Sequence, residues 1–155
     1  MHIFPWGKLQ RLPEQTATHS LLDHMTDVAA VLHRLLLIPT IALALQRTAG
    51  RPLSDTDRAR LAVLAYLHDI GKANAGFQGK YWSDPAQRPH GWPGACGHGP
   101  EGWDLVDACL SGEHWAQQVA AGLPLAAMCD WGDAFLPLLH ASISHHGRPV
   151  QCDGS

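Results

Sequence analysis

The chain has 155 residues, 46% hydrophobic content and a formal net charge of −3, so we expect one globular domain over residues 1–155 and no overall basic character that would indicate nucleic-acid binding. No signal peptide is recognisable, and the longest apolar stretch, Leu35 to Leu45, contains Pro39 and is too short to cross a bilayer. These features exclude a membrane partner and predict a cytoplasmic protein. The 11 histidines are many for this size and suggest metal binding.

The first predicted helix covers residues 20–37. Ser20 and Asp23 provide its start signal, and Pro39 follows its end. One face carries apolar side chains at helical spacing: Leu21, Met25, Val28, Leu32 and Leu35. Because His24 borders this face, we expect its imidazole at the edge of the buried surface.

The second predicted helix begins at Ser54, a hydroxyl cap, and has two aspartates in its first turn. Leu61, Leu64 and His68 share one stripe of this helix, so His68 stands where a leucine would be expected. Gly71 is predicted to end the helix in the left-handed conformation, with Lys72 beside the site.

The adjacent pair His68-Asp69 is the strongest indication of chemistry. An imidazole and a carboxylate can share one cation, and the carboxylate keeps an oxygen for a second. A polar pair on an apolar face needs a partner that offsets its desolvation, and a metal supplies one. A buried, hydrogen-bonded histidine next to an exposed aspartate is the structural alternative.

Residues 82–99 are rich in Pro, Gly and His and predict a long loop that delivers His98 to the start of a helix. Pro100 suits the first turn of that helix, which runs towards Leu110. Three tryptophans in or near this region are candidates for base stacking, and core packing is an equal alternative for each: Trp82, Trp92 and Trp103.

The last predicted helix runs from Phe135 to Ile143, and Gly147 and Pro149 end it. His145 and His146 therefore lie at its C-terminal end, where the helix dipole favours a cation. The dipole alone explains one histidine there, but explains two adjacent ones poorly. A cysteine-based zinc site is not supported, because no close pairing links the four cysteines Cys96, Cys109, Cys129 and Cys152.

Taken in order, these motifs resemble the HD nuclease domain of the CRISPR-associated nuclease-helicase of type I systems. The resemblance runs from about Trp6-Gly7-Lys8 to Pro149. It rests on four segments: Leu-Leu-Asp-His24, Leu-His68-Asp69-Ile-Gly-Lys-Ala-Asn-Ala-Gly-Phe-Gln, Gly-His98-Gly-Pro-Glu-Gly and Ser-His145-His146-Gly-Arg-Pro.

The resemblance implies an all-α helical bundle with two divalent metal ions that cleaves single-stranded DNA opened by a crRNA-guided surveillance complex. It implies that His24, His68 and Asp69 hold the first metal, and that Asp69 bridges to a second at His98, His145 and His146. Lys72 would lie near the scissile phosphate as an electrostatic aid. Ligation rich in imidazole suits manganese, iron, cobalt or nickel better than magnesium.

In the resembled family a later helix supplies a final aspartate to the first metal, but this sequence ends at Ser155. The resemblance thus implies missing C-terminal helices, a weaker first metal and a helicase subunit or domain outside this chain. Asp153 is too near the end to be a substitute. Asp130 precedes His145 instead of following it, and a helix start near Asp133 explains it as well.

Two further functions are compatible with the same residues. One is a phosphohydrolase of the HD type that acts on a nucleotide or cyclic dinucleotide, and substrate preference would separate it from a nuclease. The other is an inactive metal-binding remnant, which would turn over no phosphodiester despite bound metal.

Overall fold

The computed structural model describes residues 5–114 and 128–147. Its first element is a two-stranded antiparallel sheet of β1 (Trp6–Arg11) and β2 (Thr16–Ser20), in which Lys8 faces His19 and Leu9 faces Thr18. The expectation of an all-α fold is therefore wrong in this respect, although the rest of the described chain is mostly helical. Neither strand has the alternation of apolar and polar residues that marks a half-buried strand, so the sequence pattern does not predict them.

The described residues form six α-helices. They are α1 (Leu21–Leu35), α2 (Pro39–Ala49), α3 (Asp55–Leu67), α4 (Ala75–Gln78), α5 (Gly99–Leu110) and α6 (Phe135–Ile143). Short 3₁₀ turns cover Ile70–Ala73, Gly79–Tyr81, Pro85–Gln87 and Cys129–Ala134. The predicted helices correspond to α1, α3, α5 and α6, which confirms them, and residues 88–98 form the predicted irregular segment before α5.

Helix α2 was not predicted from the sequence. Pro39 was interpreted as a stop signal for α1, but it also occupies the first turn of the next helix, where its missing N–H is not needed. Gly50 ends α2 with a φ of 66°, the left-handed conformation that favours glycine. Within the described residues no single helix could span a bilayer, whereas α1 and α2 together meet the length and composition required but join at an angle of 87°.

The start of α3 is fixed by a capping box. The Ser54 hydroxyl accepts a hydrogen bond from the Asp57 backbone N–H, and the Asp57 carboxylate accepts one in return from the Ser54 N–H. Arg51 donates to both Asp57 oxygens, at 2.6 and 2.9 Å. These bonds, from Arg51 first and then from Ser54, hold the pKa of Asp57 well below its usual range.

The main hydrophobic core lies between α3 and α6. Leu64 and Leu67 of α3 pack with Met128 and with Leu139 and Ile143 of α6, and all five are at least 95% buried. Trp103 of α5 packs against this cluster, which supports the core-packing interpretation for that residue. The C-terminal ends of α3 and α6 lie close together, since the rings of His68 and His145, which follow them, are 5.0 Å apart.

Candidate metal centre

Four separate segments deliver histidines to one buried carboxylate. His24 comes from α1, His68 and Asp69 follow α3, and His98 precedes α5. His145 and His146 follow α6. The ligand atoms fall into two groups, His24–His68–Asp69 and His98–His145–His146, and within each group they lie within 4.8 Å of one another. We call these the first and the second cluster.

In the first cluster both histidines face the same carboxylate oxygen. The Nε2 atom of His24 lies 2.9 Å from Asp69 Oδ2, and that of His68 lies 3.0 Å from it. His68 Nδ1 donates a hydrogen bond to the Ala65 carbonyl at 2.6 Å, which places its proton on Nδ1. The Nε2 lone pair of His68 is therefore directed into the site, as a metal ligand requires.

In the second cluster two histidines approach the other carboxylate oxygen. His98 Nε2 lies 3.2 Å and His145 Nε2 lies 3.6 Å from Asp69 Oδ1. His146 completes the group, because its Nε2 is 3.0 Å from His98 Nε2. This cluster is the more open one, since the His145 side chain is 29% exposed and that of His24 is 10% exposed.

Asp69 is the shared element of the two clusters and is only 1% exposed. Its Oδ1 atom is buried and accepts no hydrogen bond of good geometry, although imidazole nitrogens surround it. Burial alone would raise the pKa of Asp69, but interactions with the neighbouring His68 and His98 imidazoles and with the Lys72 ammonium outweigh burial and keep that pKa well below its usual range. The carboxylate is therefore an anion, with one oxygen available to a cation on the second-cluster side.

Lys72 carries the positive charge that contacts the Asp69 carboxylate. The residue is 93% buried, and its ammonium forms an ion pair with Asp69 Oδ2 and donates to the Gly7 carbonyl at 3.3 Å. The resemblance to the nuclease family implies that Lys72 lies near the scissile phosphate. Its contacts in the structure are to the carboxylate that the two clusters share and to the β1 backbone.

Burial also keeps two of the histidines neutral. The pKa of His24 and that of His145 both lie below the ordinary value of 6.5, and desolvation is the largest cause for each. A neutral imidazole is the form that binds a metal. The donor set of five imidazoles and one shared carboxylate fits two divalent transition-metal ions, and the unsatisfied Oδ1 atom fits a bound cation.

The backbone conformation of Gly71 is not the left-handed one that was predicted. This glycine does not have positive φ, and instead lies in the 3₁₀ turn against the start of α5. A Cβ atom at this position would overlap the His98 carbonyl oxygen and lie 2.6 Å from the Gly102 nitrogen. Glycine is thus required for the close approach that brings His98 to Asp69. Sequence reasoning had no signal for this contact, because the two segments are far apart along the chain.

Among the described residues, the other aspartate considered as a metal ligand, Asp130, pairs with an arginine and belongs to neither cluster. Asp130 is 75% exposed and pairs with Arg60 at 2.8 Å, while Asp153 and Pro149 lie outside the described residues. His19 pairs with Asp27 at 3.1 Å on the surface.

Two amide side chains that hold the segments around the clusters, Asn74 and Gln78, were not predicted from the sequence. Their positions in the Asn-Ala-Gly-Phe-Gln stretch after Lys72 were the only available signal.

A mostly helical domain that gathers histidines around one His-Asp pair has the architecture of an HD-type metal hydrolase. The family model described as Cas3, HD domain matches residues 6–155, so the chain belongs to the Cas3 HD domain family. This membership implies a metal-dependent nuclease of type I CRISPR defence, with a nucleic acid as substrate. Searches of curated proteins and of solved structures gave no match.

Proposed function

We propose that this chain cleaves single-stranded DNA with two divalent transition-metal ions, one in each cluster. The observation that carries the proposal is the position of Asp69, whose Oδ2 faces His24 and His68 and whose Oδ1 faces His98 and His145. A carboxylate with imidazoles facing each of its oxygens could hold one metal ion at each oxygen.

The residues of the chain have separate tasks in this proposal. Asp69 bridges the two sites, and the five histidines supply the remaining protein ligands. Lys72 stabilises the ionised form of Asp69 and so keeps the bridge ready to bind. When bound, the metals supply an activated water and stabilise the leaving oxygen of the phosphodiester. We assign manganese, iron, cobalt or nickel to the sites, because imidazole suits these metals better than magnesium.

The recessed position of the site favours a single strand as substrate. The carboxylate is 1% exposed, and the site opens at His145 and His146, so a phosphate must be brought down to a recessed position. A flexible strand can bend into such a recess more readily than a duplex.

Membership of the family supports a proposal for the partners. We propose that a crRNA-guided surveillance complex supplies the exposed strand and that a helicase subunit or domain moves it. The nuclease would then act in the cytoplasm, where that complex meets invading DNA.

A substrate panel tests the proposal. Circular single-stranded DNA, the matching duplex, nucleoside monophosphates and a cyclic dinucleotide are each incubated with Mn²⁺, Co²⁺ or Ni²⁺. We expect linearisation of the single-stranded circle only, dependent on metal and absent from Asp69→Ala. Turnover of the small nucleotides without cleavage of the circle would contradict a nuclease and favour a nucleotide phosphohydrolase. A folded, metal-loaded chain without any turnover would be an inactive metal-binding domain.

A further inference from the structure

We infer that the segment Gly71–Gln78 positions the two clusters independently, through the side-chain amide of Gln78 for the first cluster and that of Asn74 for the second. This inference rests on the proposed function, because it assigns roles around clusters that are proposed to bind metal. Neither amide touches a candidate ligand side chain in the described hydrogen bonds. Both are therefore positioning residues that act through the backbone.

Gln78 holds strand β1 against the first cluster. Its Oε1 accepts from the Trp6 N–H at 2.9 Å, and its Nε2 donates to the Trp6 carbonyl at 3.1 Å. The same Nε2 donates to the Lys72 carbonyl at 2.6 Å. Gln78 is 95% buried, so these backbone groups have no access to water that could replace the amide.

The strand that Gln78 holds is in contact with the first cluster. Gly7 follows Trp6 and packs so closely on His24 that a Cβ atom there would lie 2.7 Å from the His24 Cβ. The Gly7 carbonyl also accepts from Lys72, the ion-pair partner of Asp69. Gln78 thereby fixes the backbone on which both His24 and Lys72 rest.

Asn74 holds the loop that delivers His98. Its Nδ2 donates to the Gly97 carbonyl at 3.1 Å and to the Gly71 carbonyl at 2.6 Å. Its Oδ1 accepts from the Cys96 thiol at 2.9 Å and from the Phe77 N–H at 2.7 Å. These bonds tie the two residues before His98 to the turn that contains Gly71, the glycine on which the His98 backbone packs.

The two amides thus hold different partners, since Gln78 bonds to strand β1 and Asn74 bonds to the loop before His98. Outer residues that orient metal ligands are commonly worth about tenfold to about a hundredfold in metal affinity. We expect losses of this size, each confined to one cluster. A general loss of packing would weaken both clusters together.

The test measures Co²⁺ binding in two reference backgrounds by visible absorption and equilibrium dialysis. His24→Ala leaves the second cluster as the intact group, and His98→Ala leaves the first. Asn74→Ser is added to each background because a serine still caps α4. Gln78→Met is added to each background because it keeps the side-chain length but cannot hydrogen-bond.

We expect Asn74→Ser to weaken Co²⁺ binding about tenfold in the His24→Ala background and less than about twofold in the His98→Ala background. Gln78→Met should give the reverse pattern. Equal losses in both backgrounds, or none in either, would overturn the inference. If the unmodified chain binds no Co²⁺, the proposed function itself fails, and the inference fails with it.

A second variant covers the outcome in which Gln78→Met does not fold. Gln78→Glu keeps the acceptor for the Trp6 N–H but presents an oxygen to the Trp6 and Lys72 carbonyls. We expect the same selective loss at the first cluster. The added negative charge would favour a metal, so weaker binding is attributable to the lost positioning. Unchanged or tighter binding in a folded Gln78→Glu chain would contradict the role assigned to Gln78.

Discussion

Asp69 and Lys72 form a buried ion pair at the base of the metal centre, and both residues are at least 93% buried. The ammonium contacts Oδ2, the oxygen that also faces His24 and His68. An ionised carboxylate in such a place is costly unless a positive charge accompanies it. Lys72 therefore supplies the charge that keeps Asp69 ionised before any metal binds.

Lys72→Met should destabilise the metal-free protein by about 3–5 kcal/mol, the range found when one partner of a buried ion pair is removed. Saturating Mn²⁺ should restore part of this loss, because bound cations then neutralise Asp69. Urea unfolding with and without Mn²⁺ measures both values. Lys80→Met is the control, since the Lys80 ammonium lies over the Phe77 ring instead of beside Asp69. A loss that is the same with and without metal would contradict this account.

Acid should destabilise the metal-free protein as the pH falls through about 6.5. The pKa values of His24 and His145 lie below 6.5 in the folded chain, so between those values and 6.5 the unfolded chain binds more protons. The free energy of unfolding therefore decreases with falling pH in this window. Urea unfolding between pH 8 and pH 5 would show it, and His24→Gln should flatten the curve. A free energy of unfolding that rises on acidification would disagree with neutral, buried imidazoles.

Gly71→Ala should displace His98. The new methyl group would overlap the His98 carbonyl, and overpacking of this kind costs about 1–3 kcal/mol. We also expect weaker metal binding at the second cluster, measured by Co²⁺ titration. Gly94→Ala is the matched control, because a Cβ at Gly94 meets nothing within 4 Å and its φ is not positive. Equal behaviour of the two variants would show that the approach of His98 to Gly71 is unimportant.

Asp130→Ala should leave metal binding unchanged. Asp130 is 75% exposed and pairs with Arg60, away from both clusters. An exposed ion pair contributes about 0–1 kcal/mol, so the loss of stability should stay within that range. The number of Mn²⁺ ions bound per chain, measured by equilibrium dialysis, checks the expectation. A lower number would mean that Asp130 takes the place of the final aspartate of the resembled family.

The helices that the sequence predicts are those with local signals. Ser20 and Ser54 cap α1 and α3 as expected, and the bounds of α6 agree with the predicted Phe135 to Ile143. The β1–β2 pair and α2 were not predicted, and the causes are again features of the nearby sequence. The strands lack an alternating pattern, and Pro39 marks both the end of one helix and the start of another.

The candidate site could also be predicted only in part. Four motifs in order indicated which side chains belong together, and the structure brings the five histidines into two groups next to Asp69. Their roles as ligands stay predictions. How the segments are held could not be read from the sequence, because the contacts of Gly71, Asn74 and Gln78 join residues that are far apart in the chain.

The most direct test of the central claim is the number of divalent ions that one chain binds. Equilibrium dialysis against Mn²⁺ or Co²⁺, followed by elemental analysis, should give two ions per chain, one for each cluster. Asp69→Asn keeps the shape of the side chain but removes its charge, and we expect it to weaken both sites by at least about a hundredfold, the upper end of the losses seen for supporting residues. Loss of a single ion in Asp69→Asn, with the other bound as before, would contradict a carboxylate shared by two metals.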